Sequence, residues 1–309
     1  MRTRRIGSLE VSVVGLGCNN FGGRIDYDKS AEVVSAALDN GITFFDTADV
    51  YGGTKSEEFL GRALGRRRDD VVVATKFGMK IDEDRHGAKP DYVRRALEDS
   101  LRRLGTDRVD LYILHTPDAG TPIADTLGAL DDCVTAGKVR QIGCSNFSAP
   151  QLRQAEAAVT GGGARFVSVQ NEYSLLQRQP ELEVLPECQK AGIAFVPYFP
   201  LASGLLTGKY KRGETPPPGG RLSGMPAEHF AALNDRLSIA EGLAALAGRE
   251  NHTLLELAFS WLLSRDEVAS VIAGATTRAQ VEANATAGSW ILDEAQLAEV
   301  DKLAPPPTE

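Results

Sequence analysis

At 309 residues the chain is long for one average domain but ordinary for a single α/β barrel. Apolar residues make up 42% and charged residues 25%, as in globular proteins, and a formal net charge of −8 argues against nucleic acid or an anionic membrane surface as the main partner. No apolar run reaches bilayer-spanning length, the basic start Met1–Arg5 lacks the apolar stretch of a signal peptide, and Cys18, Cys133, Cys144 and Cys188 show no metal-ligand spacing. The expectation is a cytoplasmic protein with reduced, buried thiols and no metal.

Two short β-like pieces flank Gly7-Ser8 and predict a hairpin; Val13–Gly17 reads as the first barrel strand. Asp28 is expected to cap a helix to Asn40, and Ile42–Phe45 is a second, buried strand. Thr54-Lys55-Ser56-Glu57 has capping-box spacing for a helix to Gly65. Strands follow at Val71–Thr75, Val109–Leu114, Val139–Cys144, Phe166–Val169 and Ile193–Pro197. Between them come helices opened by Pro90, by Thr121-Pro122 and by the Ser148–Gln151 capping box, and a Leu182–Ala191 helix that Pro186 must kink or reposition. Lys211–Gly224, rich in Pro and Gly, is a loop of a length that is either functional or disordered. Helices near His229–Ala247 and Thr253–Leu263, a strand at Ser270–Ala273, a helix from Thr277 and a last helix at Asp293–Leu303 complete the chain. The alternation predicts one domain over 1–309: a (β/α)8 TIM barrel with an N-terminal β-hairpin and extra C-terminal helices.

The functional signal is a recurrence. Asp46 stands at the end of the second strand with Tyr51 in the loop beyond it; Lys76, His115, Ser145-Asn146, Gln170 and Tyr198 stand at the ends of later strands. A strand-end Asp by itself caps a turn and a lone buried His is a core residue. Polar groups at the carboxyl ends of successive barrel strands, however, build active sites. A free Tyr, with a pKa of about 10, is a poor proton donor at neutral pH. The expectation is that a Lys76 ammonium, held by Asp46, lowers it, while His115 hydrogen-bonds and orients a carbonyl oxygen. The set would polarise a carbonyl and protonate the alkoxide, and the hydride must come from a cofactor. Asn146 and Gln170 carry amides suited to a nicotinamide carboxamide, and Tyr198 offers a ring face.

The motifs Asp46-Thr47-Ala48-Asp49-Val50-Tyr51-Gly52, Ala74-Thr75-Lys76, Leu114-His115, Gly143–Phe147, Gln170–Tyr173 and Pro200–Gly204 make the sequence resemble the aldo-keto reductase family over nearly its whole length. The resemblance implies that Asp46, Tyr51, Lys76 and His115 form a catalytic tetrad with Tyr51 as general acid. It implies that Ser145, Asn146 and Gln170 hold the carboxamide, that Tyr198 stacks on nicotinamide, and that Leu201, Ser203 and Gly204 lie along the pyrophosphate. It also places the adenosine end of the cofactor at Gly274, Thr276, Arg278, Gln280 and Asn284. Gly274 and Gln280 stand where relatives carry Lys or Arg, so Arg278 and the helix N-terminus are left to favour NADPH, with NADH possible. The partner implied is a small carbonyl compound, with pocket walls at Asn20, Phe21, Tyr51, Phe77, Pro117 and the long loop. Channel-associated β subunits resemble the same barrel and keep the tetrad, which gives the alternative of a regulatory subunit with little turnover.

Overall fold

The computed structural model describes residues 1–308. A two-stranded antiparallel hairpin, β1 (Thr3–Ile6) and β2 (Leu9–Ser12), precedes eight parallel strands. These are β3 (Val14–Gly17), β4 (Phe44–Asp46), β5 (Val72–Phe77), β6 (Val109–Leu114), β7 (Val139–Ser145), β8 (Phe166–Gln170), β9 (Ala194–Phe195) and β10 (Val271–Gly274). They pair in chain order, and β10 returns to pair β3 with Val271 opposite Val14. The remaining gap is closed beside the short β9: Phe195 N donates to Glu267 O at 2.7 Å, and Phe195 O accepts from Ala269 N at 2.9 Å. This is the expected (β/α)8 TIM barrel.

Alternation along the strands makes two apolar layers. Phe44, Val72, Ala74, Leu111, Ile113 and Val196 point into the barrel, where Ile6, Leu9 and Val11 of the hairpin join them and stopper its N-terminal end. Phe45, Val73, Phe77, Tyr112 and Val169 face the surrounding helices. Those helices are α1 (Tyr27–Asp39), α2 (Lys55–Leu64), α3 (Pro90–Leu104), α4 (Ile123–Thr135), α5 (Ala149–Ala157), α6 (Val184–Ala191), α7 (Ala227–Ala231), α8 (Asn234–Arg249), α9 (Leu254–Leu263), α10 (Arg278–Ala287) and α11 (Glu294–Leu303). Among the described residues, no helix is long and apolar enough to cross a membrane.

Three local expectations are corrected and a fourth is decided. The α1 cap is Asp26, whose carboxylate accepts from Lys29 N, and Asp28 sits in the first turn, where its charge suits the helix dipole. Thr54 makes no capping bond: it has φ 78°, and its would-be partner Glu57 is drawn inward to Thr75 Oγ1 and Arg103 Nε. Of the two outcomes expected at Pro186 it is the repositioning that occurs: α6 starts at Val184 instead of Leu182, which puts Pro186 in the first turn, where a missing N–H costs nothing. The predicted His229–Ala247 helix is two, α7 and α8, because a break at Ala232-Leu233 lets Phe230 pack on Tyr210 with ring centroids 6.1 Å apart.

Candidate active site

The inward-facing positions of the strands change character at the carboxyl end. On β4, Phe44 is followed two residues on by Asp46; on β5, Val72 and Ala74 lead to Lys76; past β6, Leu111 and Ile113 lead to His115. Ser145, Gln170 and Tyr198 hold the same level on or beyond β7, β8 and β9. Period-two alternation therefore delivers six polar side chains to one end of one barrel interior.

Hydrogen bonds knit them. Lys76, 2% exposed, donates from Nζ to Asp46 Oδ2 at 2.5 Å and to Thr47 O at 2.8 Å, and it lies 3.4 Å from the Tyr51 hydroxyl. Gln170 Nε2 donates to the other Asp46 oxygen, Oδ1, at 2.7 Å. Ser145 Oγ donates to Gln170 O, and Asn146 Nδ2 donates to both Ser145 Oγ and His115 O. The Tyr198 hydroxyl donates to Asn146 Oδ1 at 2.7 Å. Tyr51 rides on a tight turn against the loop that follows β3. There Gly52 has φ 58°, and a Cβ on it would come within 2.1 Å of Phe21 O, so only glycine fits. Tyr51 and His115 meet edge to face with centroids 5.7 Å apart.

The electrostatics follow from burial. Burial opposes the Lys76 charge, but Asp46 and Tyr51 outweigh it and lift its pKa, so the ammonium persists. Burial raises the Tyr51 pKa by more than Lys76 lowers it, so the expected depression is overturned and the phenol holds its proton throughout the neutral range. Burial, then the Lys76 charge, pulls the His115 pKa down to about 3, leaving a neutral imidazole whose Nδ1 has no partner among the described residues.

The segment beyond β9 is strained. Phe199, Ala202 and Ser203 all take positive φ, as does Gly204, and Leu201 O accepts from Gly204 N and Leu206 N. Such strain at a strand end marks a ligand-holding turn. Cations gather on it. Lys209 Nζ lies 3.3 Å from the place a Gly204 Cβ would occupy, and the Arg221 guanidinium sits 4.8 Å over the Phe199 ring. Burial and the Arg24 charge push the Arg221 pKa down, and no carboxylate is among the charges acting on it. Arg221 belongs to the long Pro/Gly loop, which lies over this turn through Leu222 N to Tyr210 Oη at 3.1 Å and Gly219 O to Arg24 Nη2 at 3.4 Å. A turn of this shape, ringed by uncommitted cations, fits a diphosphate. Sequence reading missed Lys209 and Arg221, because separation along the chain gives no sign that both meet Gly204 and Phe199.

After β10, Gly274 packs against Asn19 and Asn20, Thr277 caps α10, and Asn284 is buried on that helix. Gln280 Oε1 accepts from Thr276 N and Oγ1 rather than closing a box on Thr277. Arg278 turns along its own helix, 3.9 Å from Glu282 and 3.1 Å from Asp39 on the last turn of α1. Two expected pocket walls are core residues: Phe21 and Phe77 are 0% exposed, and Phe77, an outward position of β5, stacks on Tyr112. Asp49, unassigned in the sequence, is buried with both carboxylate oxygens unpartnered among the described residues. Its N–H donates to Lys76 O at 3.0 Å, and burial, reinforced by Glu57, raises its pKa to about 7.

The structure is thus an eight-stranded parallel barrel with a Lys–Asp–Tyr–His cluster at its carboxyl mouth. The aldo/keto reductase family profile matches residues 13–305, and the chain belongs to that family. It is 35% identical to a probable aldo-keto reductase 1 of Glycine max, over 96% of this chain and 86% of the relative. It is also 35% identical to aldo-keto reductase yakc, NADP(+), of Schizosaccharomyces pombe, over 96% and 90%. A probable voltage-gated potassium channel subunit beta of Arabidopsis thaliana is 34% identical over 89% of this chain and 87% of its own length.

Proposed function

We propose that the protein reduces small aldehydes or ketones to alcohols, using NADPH, with Tyr51 as the general acid. The observation that carries this reading is the buried run Tyr51–Lys76–Asp46, in which a protonated phenol lies 3.4 Å from a fixed ammonium. A reduced nicotinamide, when bound, supplies hydride to the carbonyl carbon. The protein's own part is proton and charge. Tyr51 donates its hydroxyl proton to the carbonyl oxygen, and Lys76 stabilises the phenolate left behind. His115, neutral, can orient that oxygen without adding a charge that would compete with Lys76.

Support for the cofactor comes from the hydrogen-bonded set Ser145, Asn146 and Gln170 at the carboxyl mouth, the strained turn Leu201–Gly204 and the capped start of α10 near Thr276. Gly274 packs closely against Asn19 and Asn20 at the entry to α10, which carries Gln280 and Asn284. Lys209 and Arg221 supply positive charge for the diphosphate, which NADPH and NADH share, so the NADPH preference is left to the start of α10, where the Arg278 guanidinium is held at Asp39. The test is absorbance-monitored turnover of a panel of aldehydes and ketones with NADPH and with NADH. Turnover of several carbonyls with NADPH is the expected result. Tight coenzyme binding with no turnover across the panel would instead favour the regulatory reading that the potassium-channel relative suggests.

A further inference from the structure

Gln170 occupies the last inward position of β8 and is 1% exposed. A primary amide has one donating and one accepting end, and what each end faces decides its orientation. Here the decision is forced. The neighbour at 2.7 Å is Asp46 Oδ1, a carboxylate oxygen that accepts, and the other oxygen, Oδ2, is ion-paired with Lys76 Nζ at 2.5 Å. Gln170 must therefore turn its NH2 to Asp46. No described residue donates to Gln170 Oε1, which is the end left over. By contrast, both ends of the Asn146 amide are engaged, by His115 O and Ser145 Oγ on one side and by the Tyr198 hydroxyl on the other.

We infer that Asp46, acting through Gln170, is a positioning residue for the coenzyme: its charge fixes Gln170 with Oε1 outward, so that the site demands an N–H donor from the nicotinamide carboxamide. This rests on the function proposed above and adds a second task to Asp46, apart from holding Lys76. The seat of the coenzyme amide and the charge that holds the Tyr51 neighbour are then two ends of one carboxylate. Replacement of that carboxylate by an amide gives a sharp consequence. In Asp46→Asn the Lys76 ammonium, a donor only, takes Oδ1, which leaves Nδ2 facing Gln170. Gln170 must then turn over, presenting its carbonyl to residue 46 and its NH2 to the coenzyme. The polarity of the site is inverted with no change of shape.

The experiment compares dissociation constants, by quenching of protein fluorescence, for NADPH and for the reduced 3-acetylpyridine analogue of the same phosphorylated dinucleotide. The analogue keeps the carbonyl but has a methyl in place of the NH2. In wild type the analogue should bind about tenfold more weakly, because a buried acceptor loses its donor. In Gln170→Ala the two should bind within about twofold of each other. In Asp46→Asn the discrimination should vanish or reverse, a readout that a merely structural role for Asp46 would not move, since loss of packing weakens both ligands alike. Equal binding of both ligands to wild type, or an unaltered ratio in either variant, overturns the inference alone. Should Asp46→Asn fail to fold, Asp46→Ala, which removes the acceptor that holds the Gln170 amide in one orientation, should narrow the discrimination likewise, and an unaltered ratio there overturns the inference. Failure of wild type to bind either dinucleotide overturns the proposed function, and this inference with it.

Discussion

The two ends of the barrel are built on the same strands and spend them differently. At the amino end, inward positions are Phe44, Val72 and Leu111, stoppered by Ile6, Leu9 and Val11. One or two pleats further along, the same inward face carries Asp46, Lys76 and His115. At the lower end Arg4 gives its guanidinium to Leu263 O and Arg265 O at 2.7 and 2.8 Å, where α9 leaves carbonyls free, while Ser270 Oγ and Arg265 Nε nearby have no partner among the described residues. The upper end leaves groups unpaired, His115 Nδ1 and both oxygens of Asp49 among them, and holds several residues at positive φ. One end is sealed by an apolar stopper, while the other gathers ionisable side chains and backbone strain, as a binding site requires.

That division can be broken most strongly at Tyr51. Tyr51→Phe removes a proton donor and leaves the ring, so turnover should fall by about 10²–10⁴. Coenzyme affinity and the thermal midpoint should stay near wild type. Steady-state rates beside a fluorescence titration check this, and near-normal turnover would remove Tyr51 from the acid role.

The opposite pattern is expected at the stopper. Leu9→Ala empties a fully packed position and should cost about 2–5 kcal/mol in denaturant unfolding. Rates per folded molecule should be unchanged; a fall in kcat would mean that the two ends are not separate.

Asp49 sharpens the comparison because it is a stability cost placed at the functional end. Its carboxyl is raised from 3.8 to about 7, so the fold favours the protonated form. The associated stability is present below the unfolded pKa and is lost as pH rises from about 4 through about 7. The shift corresponds to roughly 4 kcal/mol if fully expressed. An unpartnered Asn amide retains part of the burial cost, so Asp49→Asn should stabilise the protein by about 2 kcal/mol at pH 8 and by little at pH 4. Unfolding midpoints at the two pH values test the sign, and a gain of equal size at both would show that ionisation is not the cause.

The smallest effect belongs to Arg278. Its partners Asp39 and Glu282 are more than half exposed, and such surface pairs contribute about 0–1 kcal/mol. Arg278→Ala should change the ratio of NADPH to NADH dissociation constants by less than about threefold, and Arg221→Ala should weaken both coenzymes alike and leave the ratio unchanged. A larger change of ratio in Arg278→Ala would return the 2′-phosphate to Arg278.

Much of the site was legible because it follows from alternation. Once Ile42–Phe45 and Val71–Thr75 are read as strands, Asp46 and Lys76 must point the same way, and only distances remain to be found. The same rule, carried one residue further, would have turned Phe77 outward and removed it from the pocket. What was not legible depends on neighbours distant in sequence. Thr54–Glu57 has the spacing of a cap, but Arg103 and Thr75 claim Glu57. Lys76 beside Tyr51 suggests an acidified phenol, but the sequence carries no measure of how deeply the ring is buried, and burial decides the direction. Arg278 has reach enough for either a phosphate or Asp39, and the sequence does not say which lies nearer.

The closure of the barrel also bears on how the chain is made. Val14 pairs with Val271, and the stopper residues Ile6, Leu9 and Val11 share a cluster with Ala269 and Ile272 as well as with earlier strands, so this segment gains the last of its partners only when β10 has been made. Until then one edge of β3 is an unpaired strand and the stopper lacks part of its packing, a state open to mispairing. Ribosome-bound chains stalled before Val271 should be cut rapidly by protease within residues 3–12. Protection at that stage would mean that the hairpin docks before the seam is sewn.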